Sequence, residues 1–130
     1  MTTPTHHGTA VALRRNGAWT GVLIRGPSGA GKSDLALRLM DQGARLVADD
    51  RVHLWASEGA LYARAPSRIA GLIEVRGVGI VPVQPLDICR ITLVIDLVEH
   101  TPERMPDPQS VTLCGISVAA LEINPRPTSA

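Results

Sequence analysis

Residues 26–33 read Gly26-Pro27-Ser28-Gly29-Ala30-Gly31-Lys32-Ser33 and fill every fixed position of the pattern G-x-x-x-x-G-K-[ST]. This stretch restricts the fold more than any other. The pattern makes chemical sense only where a strand runs into a tight turn and a helix leaves it. Both flanks comply, with the strand-like run Gly21-Val22-Leu23-Ile24 before it and a helix-like run from Leu35 to Gln42 behind. Glycines here let backbone N–H groups close around an anion, and the start of the helix adds partial positive charge. The eight residues Gly26, Pro27, Ser28, Gly29, Ala30, Gly31, Lys32 and Ser33 are therefore the candidate phosphate cradle of an α/β nucleotide-binding fold. Lys32 is placed to reach the β- and γ-phosphates of ATP, and the Ser33 hydroxyl to meet Mg²⁺.

Lys32 is the only lysine in the chain, against twelve arginines. A bias toward arginine accounts for the surface but not for the exception. A compact ammonium fits between phosphate oxygens where a planar guanidinium does not.

Composition narrows the remaining classes. A length of 130 residues suits one domain, residues 1–130. A net charge of +1, with no basic cluster longer than Arg14-Arg15, gives no electrostatic reason to expect nucleic acid or a membrane surface as partner. The longest apolar run, Ile91 to Val98, is too short to span a bilayer, which needs about 20 residues, and the N-terminus lacks an apolar signal core. A cytoplasmic location is expected. Cys89 and Cys114 lack metal-ligand spacing and are assigned to packing. With no phenylalanine and three aromatic residues in all, the core must be Val, Ile, Leu and Ala.

Along the chain, Thr9 to Leu13 suits a strand, Asn16-Gly17 marks a hairpin turn, and Ala18 to Arg25 should return antiparallel into the loop. The helix is expected over 31–42, stopped by Gly43. Arg45 to Ala48 reads as a short buried strand ending in Asp49-Asp50, followed by strands over 52–56 and 61–64 around the turn Ser57-Glu58-Gly59. Residues 72–81 are apolar and glycine-spaced, with Glu74 and Arg76 among them, and Pro82 and Pro85 place the next connection at an edge or in a loop. Arg90 to Leu97 is the most strand-like run; after an exposed proline-rich loop, 101–109, a last strand pair turns around Gly115. Residues 1–5 and 124–130 are expected to be disordered.

Two acidic positions compete for the site. In a continuous strand Asp50 shares a face with Leu46 and Ala48 while Asp49 shares the other with Val47, so only one carboxylate of the pair faces the nucleotide unless the strand breaks there. Asp96, closing Ile91-Thr92-Leu93-Val94-Ile95, has the same hydrophobic-run-then-Asp appearance, and pattern alone does not separate it from Asp50.

Taken together, the loop with its strand (21–33), Leu46-Val47-Ala48-Asp49-Asp50-Arg51-Val52, and Ile73-Glu74-Val75-Arg76-Gly77-Val78-Gly79-Ile80-Val81 resemble the catalytic domain of HPr kinase/phosphorylase, over roughly residues 6–98. That bacterial family phosphorylates a serine of the phosphocarrier protein HPr. The resemblance implies a strand-rich mixed sheet related to the phosphoenolpyruvate carboxykinase nucleotide fold, with ATP and Mg²⁺ as cofactors. It further implies Lys32 as an essential lysine, Ser33 and Glu74 as magnesium ligands with Asp49 as a further candidate, and Asp50 as the acceptor of the seryl proton. His7, in His7-Gly8, matches a His-Gly just before the family's first strand and is carried over as catalytic. HPr or a close relative is the implied partner, and a homo-oligomer is among the implied states. The family's N-terminal domain and C-terminal helices have no counterpart in these residues, so kinase chemistry is the expectation while phosphorolysis, assembly and the exact substrate stay open. A nucleotide-binding sensor without phosphotransfer is the alternative.

Overall fold

The computed structural model describes residues 4–104 and 107–125. Eleven strands and one α-helix follow in order: β1 (His6–His7), β2 (Thr9–Arg15), β3 (Ala18–Arg25), α1 (Lys32–Asp41), β4 (Arg45–Ala48), β5 (Arg51–Ser57), β6 (Ala60–Arg64), β7 (Leu72–Val75), β8 (Gly79–Pro82), β9 (Ile88–Leu97), β10 (Gln109–Leu113) and β11 (Ile116–Ile123). The architecture is the expected α/β type with a strand-rich mixed sheet. Its main sheet runs β1-β5-β6-β9-β3-β2-β4, with β11 beside β9 and β10 beside β11. Strand β3 lies antiparallel to β2 and parallel to β9, so the loop at its end opens where the sheet changes from one sense to the other.

The expected hairpins form at the turn residues that predict them. Asn16 and Gly17 both have positive φ, as do Glu58 with Gly59 and Cys114 with Gly115. The glycine-spaced stretch 72–82 becomes a separate two-stranded sheet, β7–β8, in which Pro82 takes an edge position where no ladder N–H is required. The described residues of 101–109 are exposed except Pro102, which is half-buried; Met105 and Pro106 lie outside the described residues.

Two interiors share the sheet. On one face α1 lays Ala36, fully buried, against Val11, Val22, Ile24, Leu46, Ile73, Ile95 and Leu97. On the other face Leu23, Val52, Leu54, Leu61, Ile91, Val94 and Val118 meet as β5–β6 fold over the centre. Strand β9 serves both. Gly21 pairs with Ile91 while Val22 pairs with Leu93, so Thr92 is one residue extra on β9. That bulge turns Leu93, Ile95 and Leu97 toward α1 after Cys89 and Ile91 have faced the other core. Gly21 makes the crossing possible, since a Cβ there would stand 2.7 Å from the Arg90 carbonyl oxygen. Small aliphatic side chains fill both interiors, as the absence of phenylalanine requires.

Two expectations need correction. Cys89 is buried, and desolvation raises its thiol pKa, but Cys114 is exposed in the β10–β11 turn and is not a packing residue. The Cys114 Sγ lies 3.6 Å from the Leu54 carbonyl and not within either core, a contact across sixty residues that spacing alone does not disclose. Of the segments expected to be disordered, 1–3 and 126–130 lie outside the described residues, whereas the Asn124 amide donates to the Glu99 carbonyl at 3.0 Å.

Candidate active site

The turn Gly26–Gly31 connects the end of β3 to α1. Gly31 caps the helix at φ 104°, a left-handed value that an L side chain takes only with strain, so the fixed glycine of the motif answers a backbone requirement. Among the described residues the amides of Gly31, Lys32 and Ser33 donate to no protein acceptor, which leaves them directed at the cleft over the helix start. Lys32 is buried, 6% exposed, and its Nζ donates to the Gly26 and Pro27 carbonyls at 2.9 and 3.1 Å. The ammonium thus lies folded against its own loop, where it braces the turn.

The acidic pair meets this loop from the other side. Strand β4 ends at Ala48, and Asp50 has φ 70°, so the strand breaks there and the alternation of faces no longer applies. Asp49, 7% exposed, turns inward: its Oδ1 accepts the Ser33 hydroxyl at 2.7 Å and the Thr9 hydroxyl at 3.0 Å, and its Oδ2 accepts the Glu74 amide at 3.0 Å. Asp50 turns outward. Its side chain is 64% exposed and receives His7 Nε2–H at 3.1 Å; a carboxylate can only accept, so the contact selects the imidazole form protonated at Nε2.

Thr9 ties the two together. Fully buried, it donates to Asp49 and accepts the Asp50 amide at 3.2 Å, while the Gly8 amide donates to the Asp50 carbonyl at 3.0 Å. The start of β2 therefore fixes where both carboxylates point. Sequence reasoning missed Thr9, and the only available signal was its position beside the His7-Gly8 pair.

Two clefts flank the loop. One, of about 320 Å³, is lined by Ser28, Gly29, Gly31, Lys32, Ser33, Asp50, Glu74 and Arg76 among others; of the sequence-derived candidates, Gly26, Pro27, Ala30, His7 and the inward-facing Asp49 are not on its wall. The other, of about 490 Å³, runs from Pro27 and Gly31 past Arg38 to Leu97, Val98, Asn124 and Pro125. Arg76 lines both. Asp96 lines neither: Arg25 Nε and Nη2 hold its two oxygens at 2.8 and 3.0 Å, on the face of β9 turned away from α1. Of the two candidates that pattern left tied, Asp50 thus lies at the cleft and Asp96 away from it.

The donor set suits a hard divalent cation that shares its shell with phosphate. Ser33 and Glu74 offer oxygen on the cleft wall, and among the described residues no three His, Cys, Asp or Glu side chains converge into a cage of their own. Asp49 accepts the hydrogen bond of the Ser33 hydroxyl, which leaves the lone pairs of that hydroxyl free to turn toward a cation.

A glycine turn, a buried lysine and the exposed Asp50 thus line one cleft of a strand-rich α/β domain, with Asp49 braced behind it. The chain belongs to the HPr Serine kinase C-terminal domain family, whose model matches residues 2–128. Among the relatives it resembles is the HPr kinase/phosphorylase of Lactiplantibacillus plantarum, 44% identical over 93 residues, which covers 68% of this chain and 30% of that protein. The HPr kinase/phosphorylase of Limosilactobacillus reuteri is 40% identical over 107 residues, covering 75% and 32%. The chain therefore spans about a third of the length of these curated relatives. Among solved structures, the Hpr(Ser) kinase/phosphatase from Coxiella burnetii superposes with a TM-score of 0.80 at 29% identity, over 97% of this chain and 82% of that one. No helix among the described residues is long and apolar enough to cross a membrane.

Proposed function

We propose that this chain is a cytoplasmic ATP-dependent protein serine kinase that transfers the γ-phosphate of ATP to a serine of HPr or a close relative. The observation that carries the reading is the placement of Asp50: exposed, oriented by His7, and on the same cleft wall as Lys32, Ser33 and Glu74. Family membership supports the same class of reaction.

In this reading the loop amides and Lys32 hold the phosphates of ATP, with Lys32 exchanging the Gly26 and Pro27 carbonyls for phosphate oxygens. Ser33 and Glu74 would hold Mg²⁺, which when bound would supply positive charge to offset that of the phosphates. Asp49 acts one step behind, fixing the Ser33 hydroxyl and the Glu74 backbone through the bonds it makes. Arg76 reaches the cleft from β7–β8 and adds positive charge toward the triphosphate. The seryl oxygen attacks the γ-phosphorus, its proton passes to an Asp50 oxygen, and ADP leaves. Because the transition state is loose, an ordinary carboxylate suffices as acceptor and positioning carries most of the rate. His7 acts as an orienter of Asp50.

The deciding experiment incubates the protein with Mg-ATP and the HPr of the same organism and weighs HPr by mass spectrometry. One added phosphate on a serine is expected. Nucleotide binding without transfer would replace the kinase reading with that of a nucleotide sensor.

A further inference from the structure

Helix α1 covers only part of the sheet. The outward positions of β5, β6 and the start of β9 carry no helix and form a regular grid in register. His53 stands opposite Arg64, which stands opposite Ile88; Trp55 stands opposite Tyr62, which stands opposite Arg90. Arg51 extends the first column and pairs with His7 on β1. The residues between them, Val52, Leu54, Leu61, Ala63 and Cys89, point the other way and are buried, which fixes the outward set by alternation.

This face is basic. Arg51, Arg64 and Arg90 are exposed, and none of them forms an ion pair with a described residue. No outward position of the three strands carries a carboxylate; Glu58 and Asp87 stand outside the patch, in the far turn and before β9. At its centre Trp55 and Tyr62 stack at 5.9 Å with an interplanar angle of 23°, and Ile88 is 49% exposed. A hollow of about 370 Å³ between His53, Trp55, Arg64 and Ser67 gives the patch relief. An apolar centre ringed by unpaired arginines is the composition of a protein-recognition surface.

Its position says which protein. Arg51 follows Asp50 directly, and His7 touches Asp50 while pairing with Arg51, so the patch begins where the proposed acceptor carboxylate ends. We propose that this face docks the protein that carries the target serine, through acidic side chains near that serine; the proposal rests on the kinase reading for the identity of the partner. A second copy of the chain fits poorly, because a two-fold contact would set arginine against arginine. Single-stranded nucleic acid fits poorly as well, because Trp55 and Tyr62 already spend a ring face on each other.

The test uses Arg64→Glu and Arg90→Glu, with Arg64→Lys and Arg90→Lys as charge-keeping controls. Both sites of change are exposed and outside the cleft. With HPr from the same organism, each reversal should raise KM for HPr by about tenfold or more, while kcat and Mg-ATP affinity stay at wild-type values and the lysine variants behave like wild type. HPr binding measured by calorimetry without nucleotide should weaken in the same two variants and with rising salt. Unchanged KM and unchanged binding in both reversals overturn the proposal. So does a change confined to oligo(dT) binding, or a change in sedimentation mass in place of HPr affinity. If the wild type transfers no phosphate, the kinase reading falls by itself; HPr binding that is lost in both reversals would still uphold the docking face, and HPr binding that is absent or insensitive would sink it.

Discussion

Asp50 and Thr9 sit one bond apart in the hydrogen-bond network yet differ in what their loss should do. Asp50 is exposed and carries no weight in the core, so Asp50→Asn keeps shape while removing the proton acceptor. Phosphotransfer should drop by about 10²- to 10⁴-fold with Mg-ATP affinity unchanged, read by single-turnover transfer and by nucleotide titration. Thr9→Val is isosteric and strips one hydroxyl from a site with no solvent. It leaves an Asp49 oxygen short of a donor and the Asp50 amide without an acceptor, so urea unfolding should show a loss of about 1–3 kcal/mol. Legibility differed in the same way. Lys32 and Ser33 were readable because phosphate chemistry demands those types in adjacent places. Thr9 was not, because its partner lies forty residues on and sequence spacing carries no trace of the contact.

At the level of elements, the loop, its helix and the hairpins were legible from turn residues and periodicity. The helix forms within one residue of each expected end, at Lys32–Asp41. What the pattern could not supply was the break after β4. Alternation assigns Asp49 and Asp50 to opposite faces, but the positive φ of Asp50 lets one carboxylate brace the helix start while its neighbour opens onto the cleft. The cap of α1 is the most exacting point of this element. Gly31→Ala places a Cβ at φ 104°, and although the space around it is nearly open, the backbone strain should cost about 1–2 kcal/mol and distort the amides that face the cleft. Chemical denaturation should register the loss, and nucleotide titration should show weakened binding.

For the molecule as a whole, nucleotide binding and folding should be linked. A ligand that binds the folded chain alone at a hundredfold its Kd adds about 2.7 kcal/mol of stability. For a domain of this size that is a rise in Tm on the order of 10 °C, measurable by scanning calorimetry with saturating Mg-ATP. Lys32→Ala should abolish the rise. The resemblance in three motifs anticipated the family, but not the folding of one sheet around two interiors, because that depends on which single residue of a uniform apolar run is left unpaired.

That residue is Thr92, and its consequence is one of phase. Every side chain downstream of it on β9 faces as it does because one position is skipped in the pairing with β3. Pairing Thr92 with Val22 in an even ladder would rotate Leu93, Ile95 and Leu97 away from α1, while carrying Asp96 and the guanidinium that grips it toward the helix side. A slip of one position in the pairing, with no change of composition, would thus empty both hydrophobic layers at once, whereas loss of Thr92 itself would leave each downstream side chain on its present face.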